Sequence, residues 1–376
     1  MVKKIANKFV LILSSSVFLV ISAHILLYLI LCDVLSFLPN FPYVIVFVAL
    51  GFSFGSIFLT QFLVSRFDNK YTSAYYFVVA AWLAFAWQAF LIYTLLVIFR
   101  FIFAFQWLVD PSSFAWFFLF LTVILSAIGF RNAFSPHLKN IIAEIENLPD
   151  FWVNKKIVQL SDVHLGAVYR HGFLSKIARL VGKVEPEMVL ITGDLFDGTD
   201  GDFSEAGKKL LELHAPLGVY LIFGNHENYL GRAEVVGHLA GSGIEVLDDR
   251  LVEIKGLQIL GVGYPEEGTH HLDLAGKLKS LENFDSKKPS ILMFHEPIQF
   301  EQVAETGVNI YLAGHTHRGQ MFPFNLLAYL VYHRYSFGLK KFKQLTAFIS
   351  TGAGTWGPPC RTLSRSEIVV ITLLRK

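Results

Sequence analysis

Side chains that bind metals or transfer protons occur in five short clusters of this sequence. Each cluster comes directly after a short run of apolar residues. The clusters are Ser161-Asp162-Val163-His164, Gly193-Asp194-Leu195-Phe196-Asp197, Gly224-Asn225-His226-Glu227, His295-Glu296-Pro297 and Gly314-His315-Thr316-His317. A single aspartate and histidine pair would be an ordinary polar loop. Five successive clusters of carboxylate, carboxamide and imidazole indicate one shared site.

The chemistry that these side chains suit is a site for two metal ions. The set contains no thiolate, and mixed nitrogen and oxygen ligands suit Mn²⁺, Fe, Zn²⁺ or Ni²⁺ better than Mg²⁺ or Ca²⁺, which prefer oxygen. Two ions about 3.5–4 Å apart can hold a phosphoryl oxygen and orient a hydroxide for in-line attack. Such a site needs one carboxylate that bridges the ions and one unligated histidine that protonates the leaving group.

The apolar runs before the clusters predict the elements that position them. KIVQL, MVLIT, GVYLIF, SILMF and NIYLA are rich in β-branched and aromatic residues and end abruptly, which is typical of buried strands. Helix-like stretches such as 173–184 and 203–214 lie between them. This alternation predicts an α/β architecture with a largely buried sheet. The carboxyl ends of strands are where such sheets build their sites.

In this order, Asp-x-His, Gly-Asp-x-x-Asp, Gly-Asn-His-Glu, a single His and Gly-His-x-His resemble the calcineurin-like metallophosphoesterase family. The resemblance covers residues 155–374. It implies an α/β metallophosphoesterase sandwich, in which two mixed β-sheets pack face to face and are flanked by helices.

The resemblance also implies a role for each matching residue. Seven would be metal ligands: Asp162, His164 and His317 for the first ion, Asn225, His295 and His315 for the second, and Asp194 as the bridge. His226 would be the general acid or contact the phosphate, Asp197 would orient His226, and Glu227 would support it. The implied cofactors are two divalent metal ions, Mn²⁺ in the first place, with Zn²⁺ or Fe as alternatives.

A finer resemblance concerns Gly-His-Thr-His-Arg-Gly-Gln and the later stretch GAGTWGPPCR, 352–361, with Glu367. These are similar to a bacterial membrane-associated branch that includes phosphodiesterases and a UDP-2,3-diacylglucosamine pyrophosphatase of lipid A biosynthesis. Arg318 stands where glycine is commoner in that branch. This arginine would reach a second phosphate of the substrate, or it would lie on the surface beside the rim of the site.

The composition indicates that part of the chain lies in lipid. Hydrophobic residues make up 53% of the 376 residues and charged residues 16%, against roughly a quarter charged in soluble domains. Four apolar runs fill the first third of the chain: 9–32, 41–64, 71–99 and 114–130. Runs of this length and density predict membrane spans rather than a buried helical core. The first run is too long for a signal peptide, and we expect it to be an uncleaved helix.

Lysine and arginine in the loops predict the orientation of these spans. Three lysines precede the first run, the loop 33–40 has no basic residue, and the loop 66–70 has two. With four spans, both termini lie in the cytoplasm of a bacterial cell with the protein in its inner membrane; an odd number would place the catalytic domain outside. The predicted organisation is a helical transmembrane domain over 1–130, a linker or edge segment over 131–154 and a phosphoesterase domain over 155–376.

The charge balance of the C-terminal part excludes some partners. Residues 1–130 hold six of the 32 basic and three of the 30 acidic residues, so 26 and 27 remain for 131–376. A nearly neutral domain without a basic stripe binds polyelectrolytes poorly, so we expect no nucleic acid partner. Cys32 and Cys360 supply neither a disulfide framework nor a thiolate metal site.

An apolar segment, 321–332, follows the last clustered histidine. Four basic residues follow it: Arg334, Lys340, Lys341 and Lys343. Apolar residues flanked by basic ones suit contact with a lipid bilayer or a lipid-linked phosphate substrate; the alternative is a packed hairpin that covers the site. We therefore predict that Phe322 and Phe324, together with Arg318, bind the substrate.

These patterns predict a membrane-anchored dinuclear hydrolase that cleaves a phosphodiester or pyrophosphate bond in a lipid-linked substrate such as UDP-2,3-diacylglucosamine. Two alternatives stay open. One is the same chemistry on a cell-wall or soluble phosphate ester, and the other is a membrane scaffold with an inactive domain. Inactive domains usually lose ligands, and the sequence retains all of them.

Overall fold

The computed structural model describes residues 21–22, 24–25, 27–29, 31–32, 42–67, 69–102, 111–198 and 206–376. These residues fall into two compact units. One lies within Met1–Phe130 and includes Pro358–Cys360, and the other comprises Arg131–Gly357 with Arg361–Lys376.

The first unit is built from apolar helices. They are α1 (Tyr43–Arg66), α2 (Lys70–Ile102) and α3 (Pro111–Phe134). Phe47, Phe52 and Phe62 on α1 expose 66%, 68% and 62% of their surface, which is unfavourable in water and favourable in lipid. Among the described residues, Tyr43–Arg66, Lys70–Phe99 and Trp116–Phe134 are long and apolar enough to cross a membrane.

These three helices correspond to the second, third and fourth predicted apolar runs. The first run, 9–32, and the loop 33–40 lie largely outside the described residues. The total number of spans and the side of the membrane on which the second unit lies therefore stay predictions.

A small core and a few polar contacts join the helices of this unit. Leu27, Val46, Ala86 and Phe118 belong to one buried cluster. Trp82 Nε1 donates a hydrogen bond to His24 Nε2 over 3.2 Å, so that this imidazole nitrogen carries no proton. Such contacts satisfy polar groups away from water, as polar side chains between membrane helices do.

The described residues of the second unit form twelve strands and several short helices. The strands are β1 (His137–Ile145), β2 (Lys156–Leu160), β3 (Met188–Ile191), β4 (Val219–Leu221), β5 (Ile244–Val246), β6 (Arg250–Ile254), β7 (Leu257–Gly261), β8 (Ser290–Met293), β9 (Ile310–Ala313), β10 (Gly338–Phe342), β11 (Leu345–Ile349) and β12 (Glu367–Arg375). The helices are α4 (His171–Gly182), α5 (Ala206–Leu210), α6 (Asn225–Leu230), α7 (Arg232–Leu239), α8 (Leu274–Ser280), α9 (Phe300–Ala304) and α10 (Phe324–Tyr332).

The strands make two mixed six-stranded sheets. The first has the order β1-β12-β2-β3-β4-β5 and the second β10-β11-β9-β8-β7-β6. In the first sheet β12 is antiparallel to β2, while β2, β3, β4 and β5 run parallel. In the second sheet β7, β8, β9 and β11 run parallel, and the two edge strands are antiparallel to their neighbours.

The central strands of each sheet are buried on both faces, which explains why they are largely apolar, with Gln159 of β2 and Gln258 of β7 as buried polar exceptions. Along β3, Met188 and Leu190 belong to the core between the sheets, while Val189 and Ile191 face the core beneath helix α4. Ile310 and Leu312 of β9 belong to the same inter-sheet core. The predicted sandwich of two mixed sheets flanked by helices is confirmed.

The five predicted strands are β2, β3, β4, β8 and β9. The helical stretch predicted at 173–184 is α4, and the stretch 203–214 contains α5, although 203–205 lie outside the described residues. The segment 131–154, predicted as a linker or edge, supplies β1, which pairs in parallel with β12 at the edge of the first sheet.

Candidate metal centre

The polar clusters occupy the loops that follow the carboxyl ends of five strands. Asp162 follows β2, Asp194 follows β3, and Asn225 follows β4 in the first sheet. His295 follows β8 and His315 follows β9 in the second sheet. Because these strands are parallel neighbours within each sheet, their loops converge at one end of the sandwich.

The structure brings the predicted ligands together. In three groups, one possible ligand atom of each residue lies within 4.8 Å of the others: Asp162 with His164 and His317, His164 with Asp194 and His226, and Asp194 with His295 and His315. Asn225 joins the third group, because its Oδ1 lies 3.0 Å from His315 Nδ1. Asp194 therefore lies between two sets of imidazoles.

Two close approaches between possible ligand atoms define the first group. His164 Nε2 lies 3.0 Å from His317 Nε2, and His317 Nε2 lies 3.4 Å from Asp162 Oδ1. The carboxylate of Asp162 also accepts from the backbone N–H of His315, at 3.0 and 3.1 Å, which fixes its orientation.

Hydrogen bonds orient the ligand atoms of the group around Asp194 and His295. His295 Nδ1 donates to the carbonyl of Thr192 over 2.8 Å, and because a carbonyl only accepts, Nδ1 carries the proton and Nε2 faces inward. Nε2 then lies 3.1 Å from Asp194 Oδ2. Asn225 Nδ2 donates to the hydroxyl of Tyr229 at 3.4 Å, which turns the amide oxygen of Asn225 toward His315.

This arrangement fits divalent cations. Nε2 of His295 is buried and meets no partner with hydrogen-bond geometry among the described residues. Buried lone pairs that face one another are unfavourable unless a proton or a cation lies between them. The donor set of imidazoles, carboxylates and one carboxamide matches the mixed ligands that metals of the first transition row prefer. The two ligand sets joined by Asp194 therefore fit a dimetal site.

Burial keeps most of these imidazoles neutral. It lowers the pKa of His164 to about 3 and that of His315 to about 4, with the neighbouring histidines contributing. The pKa of His317 is held well below its usual value by burial, by His164 and by Arg361. Neutral imidazole is the form that binds a metal.

Without a metal, Asp194 and His295 form a charged pair, and the proton on His295 Nε2 takes the place that a divalent cation would occupy. Burial opposes charge on both, but their mutual attraction outweighs it. The attraction raises the pKa of His295 to about 10 and, together with His226, holds the pKa of Asp194 well below its usual value. An ionised carboxylate is what a bridging ligand requires.

The backbone at the site adopts an unusual conformation. The φ angle is positive at 52° for Asp162, 51° for His164, 52° for Asp194, 70° for His315 and 48° for His317. Residues with a Cβ rarely occupy this left-handed region, and it concentrates at functional sites. The left-handed turns direct successive side chains of each loop into the same site.

Two glycines allow the loops to come this close. A Cβ on Gly314 would lie 1.9 Å from Ser161 Oγ and 2.2 Å from Asp162 Oδ2. A Cβ on Gly224 would lie 2.2 Å from Asp194 Oδ1. Any larger residue at either position would displace a carboxylate of the centre.

Asp197, which is predicted to orient His226, contacts that ring through its backbone. His226 Nδ1 donates to the backbone carbonyl of Asp197 over 2.5 Å. The carboxylate Oδ1 instead lies 3.2 Å from His164 Nδ1. The backbone and the side chain of Asp197 therefore approach different histidine rings, those of His226 and His164.

Glu227, which is predicted to support His226, directs its side chain to the backbone of two neighbouring loops. Its carboxylate accepts three backbone N–H groups, from Asp194 at 2.8 Å, from Gly224 at 2.7 Å and from Phe196 at 3.2 Å. Glu227 lies in the first turn of α6, and from there it bridges the loops after β3 and β4. It therefore holds the backbone that carries Asp194 and Asn225.

Sequence reasoning assigned no role to Arg361, which is fully buried beside the first group. Its Nη2 lies 3.2 Å from His317 Nδ1 and donates to the carbonyl of Gly354 at 2.5 Å. Its Nη1 donates to Ser364 Oγ at 3.0 Å. In the sequence, Arg361 is marked only by the family resemblance of the stretch 352–361. That resemblance does not show that the arginine is buried or that it contacts a histidine.

The three predicted substrate-binding residues lie around the turn 317–319 and the start of α10. The guanidinium of Arg318 lies 4.0 Å from the ring centre of Phe337, and both line a cleft of about 480 Å³. The N–H of Phe322 donates to Thr362 Oγ1 at 2.9 Å, and Phe324, the first residue of α10, is 39% exposed. The segment after the histidines forms a helix rather than a hairpin.

Comparisons with known proteins connect the chain to metallophosphoesterases. Residues 155–319 match the family described as calcineurin-like phosphoesterase. An uncharacterized metallophosphoesterase of Helicobacter pylori is 36% identical over 224 residues, which cover 59% of this chain and 60% of that protein. One of Campylobacter jejuni is 34% identical over 265 residues, covering 68% of each chain.

A bovine relative is described as having both a transmembrane part and a metallophosphoesterase domain. A transmembrane protein with metallophosphoesterase domain from Bos taurus is 30% identical over 274 residues, which cover 67% of this chain and 61% of that protein. The chain thus spans about three fifths of the length of the Helicobacter and bovine relatives.

Proposed function

The chain belongs to the metallophosphoesterase family, and on that basis we propose that it is a membrane-anchored, dinuclear metal-dependent phosphoesterase. The observation that carries the proposal is the position of Asp194, an ionised carboxylate shared between two groups of metal-binding side chains. We propose further that the bond it hydrolyses is a phosphodiester or pyrophosphate in a lipid-linked substrate, for which UDP-2,3-diacylglucosamine of lipid A biosynthesis is the model compound. The membrane would be the bacterial inner membrane, with the catalytic unit in the cytoplasm.

The proposed ligands follow the two groups. Asp162, His164 and His317 would hold one ion, and Asn225, His295 and His315 the other, with Asp194 shared by both. Two divalent ions, Mn²⁺ in the first place and Zn²⁺ or Fe as alternatives, would supply Lewis acidity toward the phosphoryl group and lower the pKa of water. The chain's own residues set the position of the substrate and the path of the proton.

His226 is the proposed general acid. Its Nδ1–H is held by the Asp197 carbonyl, so Nε2 is the nitrogen turned toward the centre, 4.0 Å from Asp194 Oδ2. The ring centre of Tyr229 lies 5.2 Å away and that of Trp356 6.3 Å away, both edge-on. A proton on Nε2 would therefore be delivered to the leaving oxygen from a fixed ring.

The helix after the histidines supports a lipid-linked substrate. Tyr332, the last residue of α10, packs edge-on against His315 with ring centres 6.1 Å apart. Its hydroxyl donates to Glu296 Oε1 at 2.9 Å. Leu327 and Leu330 on the same helix are 56% and 69% exposed. An apolar surface thus begins beside the metal centre, where an acyl chain could lie while its phosphate reaches the metals.

A substrate panel tests the proposal. With Mn²⁺, the full chain in lipid nanodiscs is expected to hydrolyse both UDP-2,3-diacylglucosamine and a soluble aryl phosphodiester. Changing Phe322 and Phe324 together to Ser should reduce turnover of the lipid nucleotide by about tenfold or more relative to the soluble ester, since burying a Phe contributes about 1.5–3 kcal/mol. Leu211→Ser, at a 54% exposed position on another surface, is the matched control.

The outcomes of this panel separate the parts of the proposal. Turnover of the soluble ester alone would reject the lipid substrate and favour a soluble or cell-wall ester. No turnover of either compound with metal bound would reject the phosphoesterase and favour the inactive scaffold.

His226→Asn tests the proton transfer. An alkoxide leaving group needs a proton, whereas p-nitrophenolate leaves readily without one. We expect turnover of an alkyl phosphodiester to fall about 10²- to 10⁴-fold, a p-nitrophenyl ester to lose much less, and the bound metal to stay unchanged. His214→Asn, at an exposed position, is the control. Equal losses on both esters would show that His226 acts on the phosphate rather than on the leaving group.

A further inference from the structure

Helix α10 exposes apolar side chains in consecutive positions. Tyr329, Leu330 and Val331 are 57%, 69% and 59% exposed, and Leu326 and Leu327 exceed half. Ala328 is its buried residue. Successive residues of a helix point about 100° apart, so these exposed side chains cover most of the circumference of α10. A helix that is apolar all round is normally buried in protein or in lipid.

The length of α10 decides how it would meet a bilayer. Its nine residues span about 13 Å, whereas a crossing needs about 20 residues. The helix is therefore too short to cross and suits the boundary between headgroups and acyl chains.

Basic side chains lie near the turn that leads into the helix. Arg318 lies in the turn against which α10 packs, with its guanidinium over Phe337. Lys340 Nζ lies 5.7 Å from the centre of the same ring. The cleft that Arg318 lines also contains Lys139 and Arg365, against one carboxylate, Glu367. That carboxylate already accepts the N–H of Thr351 at 2.8 Å, so the cleft presents a net positive charge.

An exposed tryptophan is fixed beside the start of the helix. Trp356 is 62% exposed. Gln320 holds its backbone from both sides, since Gln320 Nε2 donates to the Trp356 carbonyl and Trp356 N–H donates to Gln320 Oε1, each at 3.1 Å. Tryptophan and tyrosine are enriched where proteins meet the headgroup layer of a membrane. These two hydrogen bonds tie the exposed Trp356 to the segment that leads into α10.

We propose that α10, Trp356 and the cations Arg318 and Lys340 form a membrane-docking face. The apolar helix and the indole enter the headgroup boundary, and the cations contact the phosphates of anionic lipids. The charge favours a bilayer over a second copy of the chain, because two such faces brought together would place like charges opposite each other. The spanning helices of the same chain keep a bilayer within reach, which raises its effective concentration.

This docking is independent of which ester the centre hydrolyses. It has a consequence for access, because Tyr332 at the end of the docked helix touches His315. The metal centre would then open at the level of the lipid headgroups rather than toward bulk water.

Spin-label accessibility in the full chain tests the docking. Leu330→Cys carries a nitroxide in nanodiscs of phosphatidylethanolamine and phosphatidylglycerol, and Leu211→Cys is the control at an exposed apolar position elsewhere. The unsubstituted chain gives the background from Cys32 and Cys360. The expected result at 330 is a gain in collision with dissolved oxygen and a loss of collision with a water-soluble nickel chelate, relative to 211.

Three results would overturn the docking face. Equal nickel-chelate accessibility at 330 and 211 would show that α10 faces water. Dipolar broadening between labels of different copies would show that a second chain covers it. If the label at position 330 were equally shielded in nanodiscs of phosphatidylcholine alone, contact between the cations and anionic lipids would be refuted. None of these readouts depends on turnover, so a failed substrate assay leaves this test intact.

Discussion

Asp194→Ala is expected to abolish turnover and to release most of the bound metal. The carboxylate is buried and ionised, and it groups with His164 and His226 on one side and with His295 and His315 on the other; its Oδ2 lies 3.1 Å from His295 Nε2. Removing one partner of a buried charged pair costs roughly 3–5 kcal/mol of folding stability, and here it also removes a carboxylate ligand from the metal centre. Metal content by mass spectrometry after gel filtration, together with steady-state turnover, measures both effects.

The matched control for this substitution is Asp150→Ala. The Asp150 side chain is 95% exposed and pairs with Arg375 at the surface, so its removal should leave metal content and turnover unchanged. Thermal unfolding of both variants without metal shows whether the fold persists. Stoichiometric metal in a folded Asp194→Ala protein that still turns over substrate would refute the bridging role.

Glu227→Gln is expected to weaken both the fold and the metal centre. The carboxylate accepts three backbone N–H groups, and an amide in its place would put an NH₂ donor against at least one of them in either orientation. A buried group left unpaired costs about 1–3 kcal/mol, and losing a group that positions metal ligands lowers affinity about 10- to 100-fold. Denaturant unfolding of the metal-free protein and metal titration measure the two losses.

The pH dependence of the free energy of unfolding shows whether the loss of stability in Glu227→Gln comes from the protonation of Glu227 or from a general disturbance of the fold. Burial and the charge of Asp194 raise its pKa from 4.5 to about 7, although three backbone amides oppose the rise. Because the folded state then holds this proton more tightly than the unfolded state, Glu227's contribution to stability falls as the pH rises from about 4.5 to 7. Glu227→Gln should flatten that part of the profile, while Glu234→Gln, at an exposed site, should not. An unaltered slope would refute the assignment.

The strands and their polar ends were predictable because both depend on local pattern. A strand buried on both faces is typically an apolar run; β3 and β9 are, whereas β2 contains Gln159 and β8 begins at Ser290. The pairing of β1 with β12 was not predictable, since it joins His137 to Glu367 across most of the domain. Only tertiary packing selects that partner.

The direction of individual side chains could not be predicted from the sequence either. Asp197 lies close to both His164 and His226, and which ring its carboxylate faces depends on a rotamer that spacing does not specify.

Helix α10 was not predicted, for a different reason. When nearly every position is apolar, no helical period remains to be read, so FNLLAYLVY could be a hairpin or a helix.

The left-handed backbone at Asp162, His164, Asp194, His315 and His317 bears on attempts to transplant this centre. Each such residue stores about 1–3 kcal/mol that the surrounding structure must offset. A designer who copied the side chains onto another sandwich with relaxed loops would aim the carboxylates and imidazoles in different directions. A transplant should therefore carry the strand end together with its left-handed loop and its close-packed glycine. The ligand side chains keep their directions only on that backbone.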